Sequence, residues 1–229
     1  MPFEIDMLPV GNADAFLIRY FNELNDEIVI LIDAGRKQHG QQVVDHINKY
    51  TNKKSIDLAI CTHPDADHIG GFFAIVDQLN IGEFWIHDPV KHKADIKKIL
   101  ESIHQNKLEK GLSFVVETLD DSINLLTLID KKGIRRDREP FAGLSYEKAP
   151  IFIVGPTLDY YEKCLSQFRD IKKLFEEEKI AKGMEDNSII GQLAAKEIFN
   201  DKNDHSKSNN SSVITYFNPE DKKCGYSAA

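Results

Sequence analysis

The sequence predicts a layered α/β protein, and three patterns carry the prediction. Residues 1–33 read as a meander of three strands, which makes one sheet of such a layer. Strand, loop, helix and strand then follow one another between Asp57 and Ile86. A further apolar strand, Pro150-Ile-Phe-Ile-Val-Gly-Pro156, closes on Gly-Pro far downstream.

The elements follow in order. Phe3, Ile5 and Met7 alternate with polar neighbours, as on a half-buried strand. Asn12-Ala-Asp14 turns the chain into a second strand, Ala15 to Tyr20. Asn22 to Asp26 is turn chemistry, and Glu27 to Asp33 is a third strand, almost wholly apolar. Gln41 to Tyr50 reads as a helix with Val43, Val44 and Ile47 inward, His46 being a surface or packing residue. Leu58 to Thr62 is a strand, and a helix beginning near Phe72 puts Phe73, Val76 and Leu79 on a core face. Strand Glu83 to Ile86 ends in His87-Asp88-Pro89.

Val90 to Lys110 reads as a basic amphipathic helix and Asp120 to Lys132 as another. Lys131 to Arg138 puts five cations in eight residues, the pattern of a solvated loop or of a phosphate contact. Leu158 to Lys182 carries a packing stripe at three- and four-residue steps, with Cys164 in the core. Ser188 to Phe199 is a shorter helix, and Asn200 to Asn210 is a polar loop. No repeat and no domain boundary shows. The expectation is one domain, 1–229, with an insertion at about 158–208.

Composition bounds the function. The chain has 229 residues and a net charge of −8, from 29 Lys and Arg against 37 Asp and Glu. That balance disfavours sequence-independent coating of nucleic acid, which needs cations to neutralise phosphates. No apolar run reaches the length of about 18 residues that a membrane span needs. Met-Pro-Phe-Glu-Ile-Asp lacks the features of a secretory signal. Cys61, Cys164 and Cys224 are odd in number and widely spaced, so a reducing, cytoplasmic setting is expected.

The chemistry concentrates in Thr62 to Gly71, Thr-His-Pro-Asp-Ala-Asp-His-Ile-Gly-Gly. Four candidate metal ligands, His63, Asp65, Asp67 and His68, fall within six positions. Imidazole and carboxylate suit zinc, iron and manganese. The loop leaves a strand's C-terminal end, where α/β sheets usually carry their sites. His63 and Asp65 are expected to point one way, and Asp67 and His68 another. Gly70 and Gly71 have no Cβ, so backbones can approach closely behind the ligands.

This loop resembles the His-x-His-x-Asp-His signature of the metallo-β-lactamase fold superfamily. Its fuller form looks most like the hydrolase domain of the DNA-uptake protein ComEC and its soluble relatives. Leu8 to Ile18, Ile28 to Gly35 and Asn209 to Thr215 are similar to other segments of that branch. The resemblance implies an αββα sandwich and a hydrolase using up to two divalent cations. Those cations would lower the pKa of a shared water, with Asp67 both binding metal and orienting the resulting hydroxide. Asp65 stands where most of the superfamily has His, which moves preference from zinc towards manganese. By the same likeness Asp33 supports the loop, and Asn209 and Ser212 bond substrate or metal-bound water; His87, at a strand's C-terminal end where the signature has no fixed ligand, reads as a non-ligand pocket residue. The implied substrate is a phosphodiester, small or nucleic acid; a lactone or thioester is the alternative.

The chain departs from that branch at its C-terminal end. There is no Thr-Gly-Asp, whose Asp bridges the two metals in the resembled proteins. Three expectations follow: an incomplete second sheet, weak or single-metal binding, and, as the competing reading, an inactive family member. Exposed strand edges favour pairing with a second copy as a homodimer.

Overall fold

The computed structural model describes residues 2–92, 113–167, 210–219 and 226–228. Five strands form the larger sheet in sequence order: β1 (Phe3–Met7), β2 (Phe16–Phe21), β3 (Glu27–Ile32), β4 (Ile56–Ile60) and β5 (Ile81–Trp85). The first three are antiparallel neighbours, and β4 and β5 run parallel to β3. A parallel step needs a crossover, and helices supply it. A 3₁₀ turn (Lys37–His39) and α1 (Gly40–Tyr50) join β3 to β4; α2 (Ala66–Ile69) and α3 (Phe72–Gln78) join β4 to β5. Then come α4 (Pro89–His92), α5 (Ser113–Lys131), β6 (Ile151–Gly155), α6 (Leu158–Gln167), β7 (Ile214–Phe217) and β8 (Tyr226–Ala228). The last three strands make a second, antiparallel sheet in the order β6-β7-β8.

The larger sheet is covered on both faces, which explains why β3 is buried at every position. On one face Leu17, Val29, Leu31, Ala59 and Phe84 pack with Val43, Val44 and Ile47 of α1, with Phe72, Ile75 and Val76 of α3, and with Leu125 and Ile129 of α5. On the other face Ile18, Ile30, Ile32, Leu58, Ile60 and Trp85 meet Ile151, Ile153 and Phe217 of the second sheet. Helices, sheet and sheet are thus stacked, as the sequence leads one to expect. Among the described residues the second sheet is small.

Several boundaries differ from the sequence reading. α5 begins at Ser113, not Asp120; Phe114-Val-Val is a poor local helix signal, because aromatic and β-branched side chains lose rotamer freedom in a helix. β4 and β5 each begin two residues earlier than expected, and β8 was not anticipated. Of the expected helices at 90–110 and 158–182, residues 93–110 and 168–182 lie outside the described residues. So do the helix at 188–199, the polar loop up to 209, and Cys224. Four cations of the basic run are paired with carboxylates. Lys132 pairs with Asp77 at 2.9 Å, Arg135 with Asp137 at 2.8 Å, and Arg136 with Asp130 and Asp88. Arg138 forks onto buried Glu83 with two bonds of 2.8 Å, pinning the loop to β5.

Candidate functional site

The site grows from the end of β3. Asp33 leaves that strand at φ 56°, in the left-handed region that Asp tolerates better than most residues. This turn aims its carboxylate across the sheet at the end of β4. Thr62 donates to it twice, from its backbone N to Oδ1 at 2.8 Å and from Oγ1 to Oδ2 at 2.6 Å. His68 Nδ1–H donates to the same Oδ2 at 2.8 Å, since a carboxylate there can only accept. Asp33 is 2% exposed, so all three bonds are made away from water.

Those bonds fix the histidine tautomers. The Thr62 hydroxyl gives its one proton to Asp33, so it can only accept from His63 Nδ1–H, 3.0 Å away. Ser212 Oγ lies 3.2 Å from the same nitrogen. Ser212 is brought there because Val213 N donates to Thr62 O at 2.9 Å, tying the second sheet to the ligand loop. Both imidazoles therefore have Nδ1 directed to the Asp33–Thr62 pair, one directly and one through a hydroxyl. A neutral ring so held presents its Nε2 lone pair outward, the usual arrangement behind a ligating histidine.

Around those Nε2 atoms stand carboxylates. His63 Nε2 is 3.7 Å from Asp65 Oδ2, and His68 Nε2 is 3.6 Å from Asp14 Oδ2 and 4.0 Å from Asp67 Oδ1. His63 stands with Asp65 and His68 with Asp67, and the two pairs lie side by side. The His63 and His68 rings lie against each other with centroids 3.8 Å apart. The reason is backbone geometry: His68 N and Ile69 N both donate to Asp65 O, closing a tight turn that returns His68 beside His63. That turn is held from behind by glycine. A Cβ on Gly71 would come within 2.0 Å of Ala34 O, and one on Gly70 within 2.5 Å of Lys37 N.

Four carboxylates (Asp14, Asp33, Asp65, Asp67) thus face two imidazoles. Burial works against the charged form of His68, but the Asp33 hydrogen bond and the charges of Asp33, Asp67 and Asp14 outweigh it and raise its pKa. Arg36 Nη2 offsets part of the excess from the rim, 3.3 Å from Asp67 Oδ2. The donor set fits a divalent cation in type, charge and tautomer. Donors on one tetrahedral zinc ion sit roughly 3.4 Å apart, close to the pairwise spacings here. Among the described residues no three His, Cys, Asp or Glu side chains converge as a ready-made metal group.

The other expected residues fall out as follows. His87, at the end of β5, stacks on Phe141 and Tyr161 with centroids 4.6 and 4.3 Å away, and its Nε2–H donates to Pro140 O at 3.2 Å. Burial pushes its pKa down to about 4. Asn209 lies outside the described residues. His46 pairs with Asp6 at 2.9 Å, remote from the loop. Asp14 and Arg36 were not singled out from sequence. Asp14 reaches the site because Gly35 N donates to Asp14 O and Asp14 N donates to Asp67 O, contacts that no local pattern announces.

The family model described as the metallo-beta-lactamase superfamily matches residues 8–145, more than half of the chain. The chain belongs to that superfamily. No curated protein matches the sequence. The mixed five-stranded sheet with its helices and small second sheet is consistent with the superfamily's fold, which suggests a metal-dependent hydrolase in general. No helix among the described residues is long and apolar enough to cross a membrane.

Proposed function

We propose that this member of the superfamily is a metal-dependent hydrolase of phosphodiester or related bonds, with His63, Asp65, Asp67 and His68 holding a divalent cation, manganese or zinc. The observation that carries the reading is the shared brace behind both imidazoles, Asp33 with Thr62, which turns both Nε2 atoms toward carboxylates. A cation held there supplies Lewis acidity and brings the pKa of water towards neutrality.

The chain's own groups do the rest. Asp67, a third exposed, is the carboxylate of the loop best placed to accept a proton from water and aim it. Asp14 adds a further oxygen beside His68. Ser212, at His63, steadies that ring and presents a hydroxyl to substrate. Arg36 favours an anionic substrate, because its half-exposed guanidinium stands at the rim beside Asp67. That cation makes a phosphodiester the better reading than a neutral lactone or thioester.

Metal content after chelator-free purification, compared with the Asp67→Ala/His68→Ala double variant, tests the proposal. Manganese, iron or zinc should be present in stoichiometric amount and disappear in the variant. Metal-stimulated cleavage of bis(p-nitrophenyl) phosphate or single-stranded DNA should disappear with it. A folded wild-type chain that takes up none of the three ions on titration would sink the hydrolase reading. Cleavage of a lactone or thioester but of no phosphodiester would leave the site and replace the substrate.

A further inference from the structure

We propose that the recess beside His63 is a subsite for a small uncharged group of the substrate, with the Ser122 hydroxyl as its hydrogen-bond partner. This rests on the hydrolase reading above and names what its site selects.

The recess holds about 30 Å³ and lies against the ligand loop. Thr62, His63 and Pro64 form one wall, while Ile86, His87 and Pro89 from the end of β5 form another. Leu119 and Ser122 of α5, with Tyr161 and Leu165 of α6, close it. Two helices and two strand ends therefore shape a space that touches a proposed ligand directly. A water needs about 10–15 Å³ by this measure, so the recess takes about two or three heavy atoms.

Its chemistry is the informative part. Among the described residues that line it there is no Lys, Arg, Asp or Glu. His87 adds no charge, because its ring is buried against Phe141 and Tyr161 and its N–H is committed to Pro140 O. A carboxylate or ammonium entering would be desolvated with nothing opposite to offset the cost. Ser122 is 1% exposed, and among the described residues its Oγ has no hydrogen-bond partner. A buried hydroxyl left that way is unfavourable, so a guest that bonds to it gains affinity while apolar walls hold the rest. The guest that answers all of this is a short neutral alkyl group with one polar atom, such as an alcohol or ether end next to the bond being cut.

The test is a titration followed through the methyl resonances of Ile86, Leu119 and Leu165, with ethanol, acetate and ethylammonium as probes. Ethanol should shift these methyls saturably, and the two charged probes should leave them unmoved. Ser122→Ala should weaken ethanol about fivefold, the size of one hydrogen bond, without lowering the urea midpoint. Leu119→Phe, which fills the recess, should abolish the ethanol response. The proposal is overturned if ethanol gives no saturable shift, or if acetate or ethylammonium moves the same methyls as strongly. Metal uptake measured on the same sample separates the two readings. A chain that binds metal and ignores ethanol loses the subsite alone; one that binds ethanol and no metal loses the hydrolase reading and the substrate role together.

Discussion

His63 and His87 follow adjacent parallel strands, β4 and β5, at the same end of the same sheet, and both are buried. Their surroundings are opposite. Beside His63 stand a threonine hydroxyl, a serine hydroxyl, Asp65 and the second imidazole of His68. Beside His87 stand two aromatic rings and one carbonyl. Position at a strand end brings a side chain to the site, but the neighbours decide whether it works as a ligand or as a wall. One corner is built to collect positive charge, and the other to refuse it.

The sharpest way to break the contrast is to move the backbone that holds the first corner. In Gly71→Ala the new methyl would collide with the Ala34 carbonyl, and neither backbone can yield without shifting the ligand turn. Destabilisation of about 4 kcal/mol or more is expected, read from urea unfolding. A loss below about 1 kcal/mol would mean that the close approach of α2 and α3 to the end of β3 is not what fixes the turn.

Next in size is Asp33→Ala, which removes the one carboxylate serving both histidines. Three buried donors lose their acceptor, so about 3 kcal/mol of stability should go. Metal affinity should fall by about 10–100-fold, since the tautomers are no longer imposed. Unchanged affinity in a folded variant would refute the shared brace.

Much of this contrast was legible in the sequence, and its limits are physical. The strands from Phe3 to Ile32, helix α1 and the ligand loop were readable because alternation, turn residues and ligand spacing are local signals. Asp33 could be assigned to support the loop only through resemblance; its left-handed turn and its reach across the sheet are properties of packing. Asp14 and Arg36 come to the site through loops from distant points in the chain, which no periodicity encodes. That the two ligand pairs lie against each other depends on the helical turn at Asp65 to Ile69, which sequence spacing alone does not announce. His87 was ambiguous for a different reason: Phe141 and Tyr161, which settle its environment, lie more than fifty residues away in the chain.

A pH titration sharpens the second corner. The pKa of His87 is held at about 4 in the folded chain, against about 6.5 unfolded. Above about pH 6.5 the ring is neutral in both states and its contribution is complete. On acidification the unfolded chain gains a proton first, so stability falls from about pH 6.5 down through about pH 4. By about pH 5 the loss from this residue should be about 2 kcal/mol. The difference in unfolding free energy between wild type and His87→Gln isolates it from other titrating groups. That difference should shrink by this amount as the pH drops from neutral, because glutamine does not titrate. A constant difference would show that His87 is not protected from protonation.

The smallest effect on stability belongs to the rim, where the two corners' rules give way to solvent. Arg36 and Asp67 are respectively about half and one-third exposed, at an N–O distance of 3.3 Å. Such a pair is screened by water and salt, so Arg36→Ala should change stability by less than about 0.5 kcal/mol. Its effect should appear in binding instead. An anionic substrate loses an attractive charge at the entrance, so KM should rise while kcat stays near its original value, and added salt should narrow the gap between variant and wild type. Arg36→Lys should recover part of the loss, because charge survives even though the planar fork does not. A fall in kcat with KM unchanged would place Arg36 against the reacting centre rather than at its rim, and would extend the charge-collecting corner outward by one residue.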